Sequence, residues 1–340
     1  MKKLGLLIVL GLISCALFSC EKVIERGIEK GFDRQNLDVL KDDKLHVFLV
    51  GSGGPINNPE RIATSTAVIA GGEFLLVDVG PGTSRGADLL NLPLGQLRGI
   101  FLTHFHSDHI GDLGEANFGS WLAGRKKKLD IYGPDGVERV VKGFTMAYEL
   151  DVNYRIAHHG AEVLSPEAAV PVSRTITIQD PDKADLVFDR NGLKVYAFLV
   201  DHSPVKPAFG YRFEYKGNRV IITGDTKKTA NLIKHSQNAE LLISNGLSFR
   251  LMNIVHRVAS ENNRPRIAKM VKDIQDYQLD PVQAAEVAKE AGAKKLVFFH
   301  IVPPITNFMA KNVFLNGVSD VYDGDVVMGE DGMHFDLEPK

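Results

Sequence analysis

Four side chains able to bind a metal fall within six positions, His104, His106, Asp108 and His109, in the run Thr103-His104-Phe105-His106-Ser107-Asp108-His109-Ile110-Gly111. A spacing of two lets His104 and His106 point to one side of an extended segment. Asp108 and His109 continue into the next turn, where they can face a second ion. Imidazole and carboxylate donors suit zinc, with iron or manganese also compatible. The 340-residue chain has only two cysteines, Cys15 and Cys20. The rest of the chain therefore has no thiolate ligand and no thiol nucleophile, and any ion there is held by His, Asp or Glu. The other histidines carry less. His158 and His159 precede Gly160 in an irregular stretch and read as solvated, while His46, His235, His256 and His334 have no motif context. The run Arg125-Lys126-Lys127-Lys128 reads as a solvated turn. Phe118 and Trp121, at helical spacing, read as core.

A cluster of this kind needs a rigid frame. The composition, 44% hydrophobic and 24% charged, excludes disordered, collagen-like and coiled-coil classes. Short aliphatic and β-branched runs bounded by Gly, Asn and Pro predict strands at 47–50, 66–70, 74–79, 100–102 and 129–132. Helices are expected over 110–123 and 135–149, and residues 151–182 show no clear period. The second half repeats the scheme, with strands at 194–200, 209–215, 219–223, 240–244 and 295–299 and helices at 229–235, 263–275 and 281–291. The pattern implies a layered α/β architecture without a linker between its halves, so residues 45–340 are expected to form one domain.

The cluster at the end of a strand resembles the signature of the metallo-β-lactamase superfamily, whose fold is an α/β four-layer αββα sandwich. Gly51-Ser52-Gly53-Gly54-Pro55 and Leu75-Leu76-Val77-Asp78-Val79-Gly80-Pro81-Gly82-Thr83 resemble upstream motifs of the branch that contains ribonuclease Z and the zinc-dependent arylsulfatases. Val200 to Arg212, around His202, is similar to that branch's third-histidine segment. Thr223-Gly224-Asp225-Thr226 is similar to its bridging-aspartate motif, and Leu296 to Pro303, around His300, to its last-histidine segment. The resemblance spans residues 45–304. It implies that His104, His106 and His202 hold one ion, that Asp108, His109 and His300 hold the other, and that Asp225 bridges two divalent ions, zinc first among them. It also implies catalytic carboxylates at Asp108 and Asp225. Asp78, ending an apolar strand, is expected to support a ligand or loop by hydrogen bonds.

Two departures from the branch pattern stand out. Where the strand after the bridging aspartate commonly ends in His-Glu-Ala, this chain has Ser244-Asn245-Gly246. Where the branch often places Tyr-His, it has Tyr277-Gln278. Neither amide exchanges a proton near neutral pH, so an auxiliary acid is absent or comes from elsewhere, with His256 on the intervening helix a conceivable substitute. The resulting expectation is a dinuclear hydrolase that cleaves a small ester, phosphodiester or sulfate, by metal-bound hydroxide. A lactone or thioester hydrolase, and a non-catalytic metal-binding accessory lipoprotein, are the alternative readings.

Partners follow from charge and from the first residues. Lys and Arg number 40 against 42 Asp and Glu, a formal net charge of -2, with no broad basic surface. The expected partner is a small-molecule ester and not nucleic acid. A homo-oligomer is compatible with the sequence. Met1-Lys2-Lys3, an apolar run over 4–18 and Leu17-Phe18-Ser19-Cys20 resemble a bacterial lipoprotein signal. Residues 1–20 are expected to be a signal peptide, Cys20 the lipidated residue with Cys15 the alternative, and 21–44 a tether. The expected location is membrane-anchored, facing the periplasm.

Overall fold

The computed structural model describes residues 21–29, 31 and 34–340. The expected signal segment, with Cys15 and Cys20, lies outside the described residues. Residues 21–29 are helical and exposed. Among the described residues no helix is long and apolar enough to cross a membrane.

From Leu45 onward the chain builds two seven-stranded sheets. The first contains β1 (Leu45–Gly51), β2 (Ser65–Ala70), β3 (Glu73–Val77), β4 (Leu97–Phe101), β5 (Asp130–Gly133) and β6 (Val172–Thr175). The second contains β7 (Ala184–Arg190), β8 (Leu193–His202), β9 (Val205–Tyr215), β10 (Asn218–Ile222), β11 (Leu241–Leu247), β12 (Lys295–Val302) and β13 (Asp325–Met328). Strand order in the second sheet runs from β13 to β7. A last strand, β14 (His334–Leu337), returns to the edge of the first sheet and pairs antiparallel with β1, Leu45 opposite Leu337.

Side-chain alternation along these strands makes the four layers. Leu45, Val47 and Leu49 of β1 face the second sheet and meet Phe209, Tyr211, Ile243 and Phe299 in one core between the sheets. Phe48 and Val50 point the opposite way, with Leu76 and Ile100, towards helices α1 (Thr83–Leu89), α2 (Ser107–Ile110), α3 (Leu113–Leu122) and α4 (Val137–His159). On the far side, Ile221, Leu242, Leu296 and Phe298 pack under α5 (Ala230–His235), α6 (Phe249–Glu261), α8 (Pro281–Ala291) and α9 (Phe308–Leu315), while α7 (Pro265–Asp273) packs through Val271 on Leu247, Met252 and Val302. Central strands buried on both faces explain their uninterrupted apolar runs. The Tyr211 hydroxyl donates to the Leu102 carbonyl at 2.7 Å across the inter-sheet core. This is the expected αββα sandwich.

Three local expectations change. Helix α4 runs to His159, ten residues past its expected end, so His158 and His159 close a helix that Gly160 stops at φ +87°. Its second half exposes Met146, Leu150 and Tyr154 among the polar Glu149 and Asn153. Arg125 does not lie in a solvated turn. It is buried and donates to the Ala168 and Asn117 carbonyls and to Ser120 Oγ, while Lys126 to Lys128 stay exposed. Phe118 and Trp121 are core, as their spacing indicates.

Candidate metal centre

The site lies where the carboxyl ends of β4, β8, β10 and β12 meet. His104, His106, Asp108 and His109 follow β4, running into the short helix α2. His202 ends β8, and Asp225 follows β10 through Thr223 and Gly224. His300 sits inside β12 at a register break. Asn245 pairs with Phe299 and Gly246 with Ile301, so His300 is the extra residue and adopts φ +48°. Such a bulge re-aims a side chain out of the ladder. Two glycines let backbone come close. A Cβ at Gly224 (φ +60°) would stand 2.8 Å from the Phe209 carbonyl, and one at Gly54 would stand 3.2 Å from the His300 ring and closer still to Val302.

The donor atoms form two groups, His104, His106, His202 and Asp225 in one and Asp108, His109 and His300 in the other, each within 4.8 Å. His104 Nε2 is 2.9 Å and His202 Nε2 3.4 Å from His106 Nδ1. Asp225 spans both groups: its Oδ2 lies 3.9 Å from His202 Nε2 and 3.3 Å from His300 Nε2, and its Oδ1 3.6 Å from His109 Nε2. Ligand atoms about 2.0–2.1 Å from a tetrahedral ion stand roughly 3.3 Å apart, so these separations have the right scale.

Hydrogen bonding sets which nitrogen each ring offers. Asp78, fully buried at φ +54°, accepts from the Thr103 amide, the Thr103 hydroxyl and His109 Nδ1, each at 2.8 Å. Thr103 Oγ, having donated its proton to Asp78, accepts from His104 Nδ1 at 3.0 Å. One carboxylate thus leaves Nε2 bare on a histidine of each group. His202 Nδ1 donates to the Tyr277 carbonyl at 3.0 Å, with the same result.

Electrostatics distinguish the groups. Burial and the neighbouring His109 push His104 well below the usual histidine range, and burial with His202 lowers His106. Burial would also lower His109 and His300, but Asp225, with Asp78 for the first and Asp108 for the second, outweighs it and raises both. Burial opposes ionisation of Asp225 and Asp108, yet the facing imidazoles hold both carboxyls low, Asp225 well below its usual range.

Do these residues fit divalent ions? His109 Nε2 and Asp225 Oδ1 are buried, face each other and have no hydrogen-bond partner. Leaving such atoms unpaired costs about 1–3 kcal/mol each, more for a charge, which a cation between them removes. The donor set is all nitrogen and oxygen, and each supporting partner is in place, so the fit is good.

The two amides have a defined place. Gln278 Nε2 donates to Asp225 Oδ2 at 2.6 Å, and Asn245 Nδ2 donates to Gln278 Oε1. The reverse Asn245 orientation would reach Gly224 O and Leu279 N at 3.3 Å, but it sets its oxygen against that of Gln278. The ionised Asp225 accepts only, so Gln278 must present its NH2 group, and Asn245 follows. His256 lies in mid-α6, outside both groups, and supplies no acid to them. His46 is engaged with Asp42 and His334 away from the centre. Thr103 and the Tyr277 carbonyl are participants that sequence reasoning missed. Neither is a ligand type, though Thr103 directly precedes the histidine run.

The Beta-lactamase superfamily domain matches residues 74–301, a span that includes all seven donors. The chain belongs to the beta-lactamase superfamily. It is 35% identical over 265 residues to ribonuclease Z of Mycobacterium bovis (strain BCG / Pasteur 1173P2), covering 77% of this chain and 87% of that one. Among solved structures, the metallo-beta-lactamase fold protein YhfI of Bacillus subtilis superposes with a TM-score of 0.63 at 20% identity, over 87% of this chain and 100% of that one. Human tRNase Z, short form, gives 0.61 at 23% identity over 85% and 98%. Likeness at that identity concerns the fold. This superfamily member is a metal-dependent hydrolase, and its relatives correct one expectation. A small-molecule ester with no nucleic acid does not stand beside relatives named for ribonuclease activity. The inference failed because a net charge sums over the whole chain, whereas a phosphate backbone responds to charges within about 8 Å at physiological salt.

Proposed function

We propose that this chain is a metal-dependent phosphodiesterase that cleaves RNA, with His104, His106 and His202 holding one ion, Asp108, His109 and His300 the other, and Asp225 shared. The observation that carries it is the 35% identity to a ribonuclease Z across 87% of that protein, with the superfamily match enclosing every donor. Zinc is the first choice for an all-nitrogen-and-oxygen set. Ions bound there supply Lewis-acid polarisation of the phosphate and activation of water near neutral pH.

The protein's own residues provide the rest. Asp78 keeps Nε2 of His104 and His109 unprotonated, and the Tyr277 carbonyl does so for His202. Asp225 stays ionised and oriented by Gln278. Asp108, which lies 3.1 Å from His300 Nε2, is the carboxylate that would accept a proton from attacking water. Asn245 and Gln278 have no proton to give, so the leaving oxygen takes its proton from solvent.

Purified chain from Glu21 onward should contain two metal ions and cleave a single-stranded RNA oligonucleotide, and a chelator should abolish that cleavage. Fully metal-loaded protein that leaves RNA intact would refute the reading. We propose further that the chain is exported and anchored through Cys20. Metabolic lipid labelling should disappear in Cys20→Ser, and persistence of the label would point to Cys15.

A further inference from the structure

Between Asn245 and Gln278, the two amides behind Asp225, the chain makes an excursion into helices α6 and α7. It leaves β11 at Leu247 and returns through a 3-10 turn, Ile274–Tyr277, whose last ring lies edge-on to His202 at 4.7 Å between centroids. The excursion is rooted on the site. Leu247, Met252 and Val271 pack with Val302, two residues past His300, and the Phe249 amide donates to Asp280 at 3.0 Å.

Charge on this arm differs from that of the whole chain. Residues 249–277 carry Arg250, Arg257, Arg264, Arg266, Lys269 and Lys272 against Glu261, Asp273 and Asp276, in a protein of net charge -2. All six cations are exposed. Elsewhere surface lysines commonly meet carboxylates: Lys44 with Glu338, Lys216 with Asp43, Lys228 with Glu286 and Glu290. On the arm Lys269 pairs with Asp273, but Arg257, Arg264, Arg266 and Lys272 form no ion pair among the described residues. Keeping like charges together without counter-ions is unfavourable unless a polyanion spreads over them. Thirteen helical residues extend the arm by roughly 20 Å, the span of several phosphates.

We propose that α6 and α7 form a docking arm for the RNA phosphate backbone, using Arg257, Arg264, Arg266 and Lys272 to hold the strand beside the metal centre. This rests on the RNA reading above and adds where the substrate lies. The exposed Ile254, Val258, Ile267 and Met270 supply apolar surface between the cations for sugars and bases. An arm both basic and apolar also suits an anionic membrane surface, which is the competing occupant. The root of the arm at Tyr277 and Val302, on the metal centre itself, favours the substrate.

The test replaces Arg257, Arg264, Arg266 and Lys272 together by Gln in the metal-loaded protein. Three readouts are compared with the parent: affinity for single-stranded RNA at several salt concentrations, turnover of bis(p-nitrophenyl) phosphate, and binding to phosphatidylglycerol vesicles. The expected result is at least a tenfold weaker RNA affinity at low salt and a salt slope shallower by roughly 0.7 for each phosphate no longer neutralised, with turnover of the small diester unchanged. The single variants Arg257→Gln and Arg266→Gln, at exposed positions, should each show a smaller loss of the same kind and replace the quadruple variant if it misfolds. Unchanged RNA affinity and salt slope in a variant that still cleaves RNA overturn the docking arm and leave the RNA function standing. Loss of vesicle binding alone, with RNA affinity intact, overturns it in favour of a membrane face. A parent protein that turns over the small diester but neither binds nor cleaves RNA instead removes the RNA reading on which the arm depends.

Discussion

The two donor groups use the same side-chain types, with only His106 half-buried, yet they meet a cation differently. In the His104–His106–His202 group the rings whose titration is shifted lie below the ordinary histidine range, so they stand neutral and ready. In the Asp108–His109–His300 group both rings are shifted upward by facing carboxylates, so a proton competes with an ion there. The difference comes from geometry and not composition. The first group places imidazoles against imidazoles, and the second threads its imidazoles between Asp78, Asp108 and Asp225. One half is preset for metal, and the other trades protons for it.

The most severe way to break this contrast is to remove the residue common to both halves. Asp225→Ala should lower metal content from two ions per chain and reduce activity by more than the roughly 10–100-fold typical of residues that only support a ligand. Two retained ions at normal rate would sink the bridging assignment. Next in size is pH. Lowering pH into and below the raised range of His109 and His300 protonates them, so affinity for the second ion should fall by up to about a hundredfold per pH unit as two protons compete. The first ion, facing His104 and His106, both shifted below the ordinary histidine range, should change less over the same interval. Chelator competition at several pH values reads both, and parallel curves would erase the contrast. Asp78→Asn should then weaken both ions together by about 10–100-fold, because Asp78 sets the proton on His109 directly and on His104 through Thr103. A loss confined to one ion would show that the Thr103 link carries nothing. Smallest is Gln278→Leu, which deletes the amide facing Asp225 and should cost about tenfold or less in metal affinity, with Gln278→Glu worse because it opposes two carboxylates. Equal affinities for parent and Leu variant would reduce the amide pair to packing.

Legibility in the sequence followed chain distance. His104, His106, Asp108 and His109 are conspicuous because they sit within six residues, and a layered α/β architecture could be read from the apolar runs, whereas the αββα order came only through the resemblance to the metallo-β-lactamase superfamily. His202, Asp225 and His300 are single residues spread over almost a hundred positions, recognisable only through ordered motifs. Edge strand β6 was invisible, since Val172 stands alone among Ser, Arg and Thr, and edge strand β7 was missed because its apolar run, Leu186 to Phe188, is short and flanked by Asp and Arg. The charge inference failed for a related reason: whole-chain arithmetic sums the basic residues of α6 and α7 with carboxylates elsewhere in the sequence.

By itself the sequence determined the donor types, the absence of thiols beyond Cys20, the strand periodicity and the amides at 245 and 278. These are properties of residue identity and local spacing. Only the tertiary structure decided that a bulge in β12 turns His300 inward, that Asp78 governs one ring in each group, and that Gln278 grips Asp225 while Asn245 grips Gln278. Each depends on atoms brought within about 3 Å from distant parts of the chain, where direction and burial set the proton positions, and none is encoded at any one position.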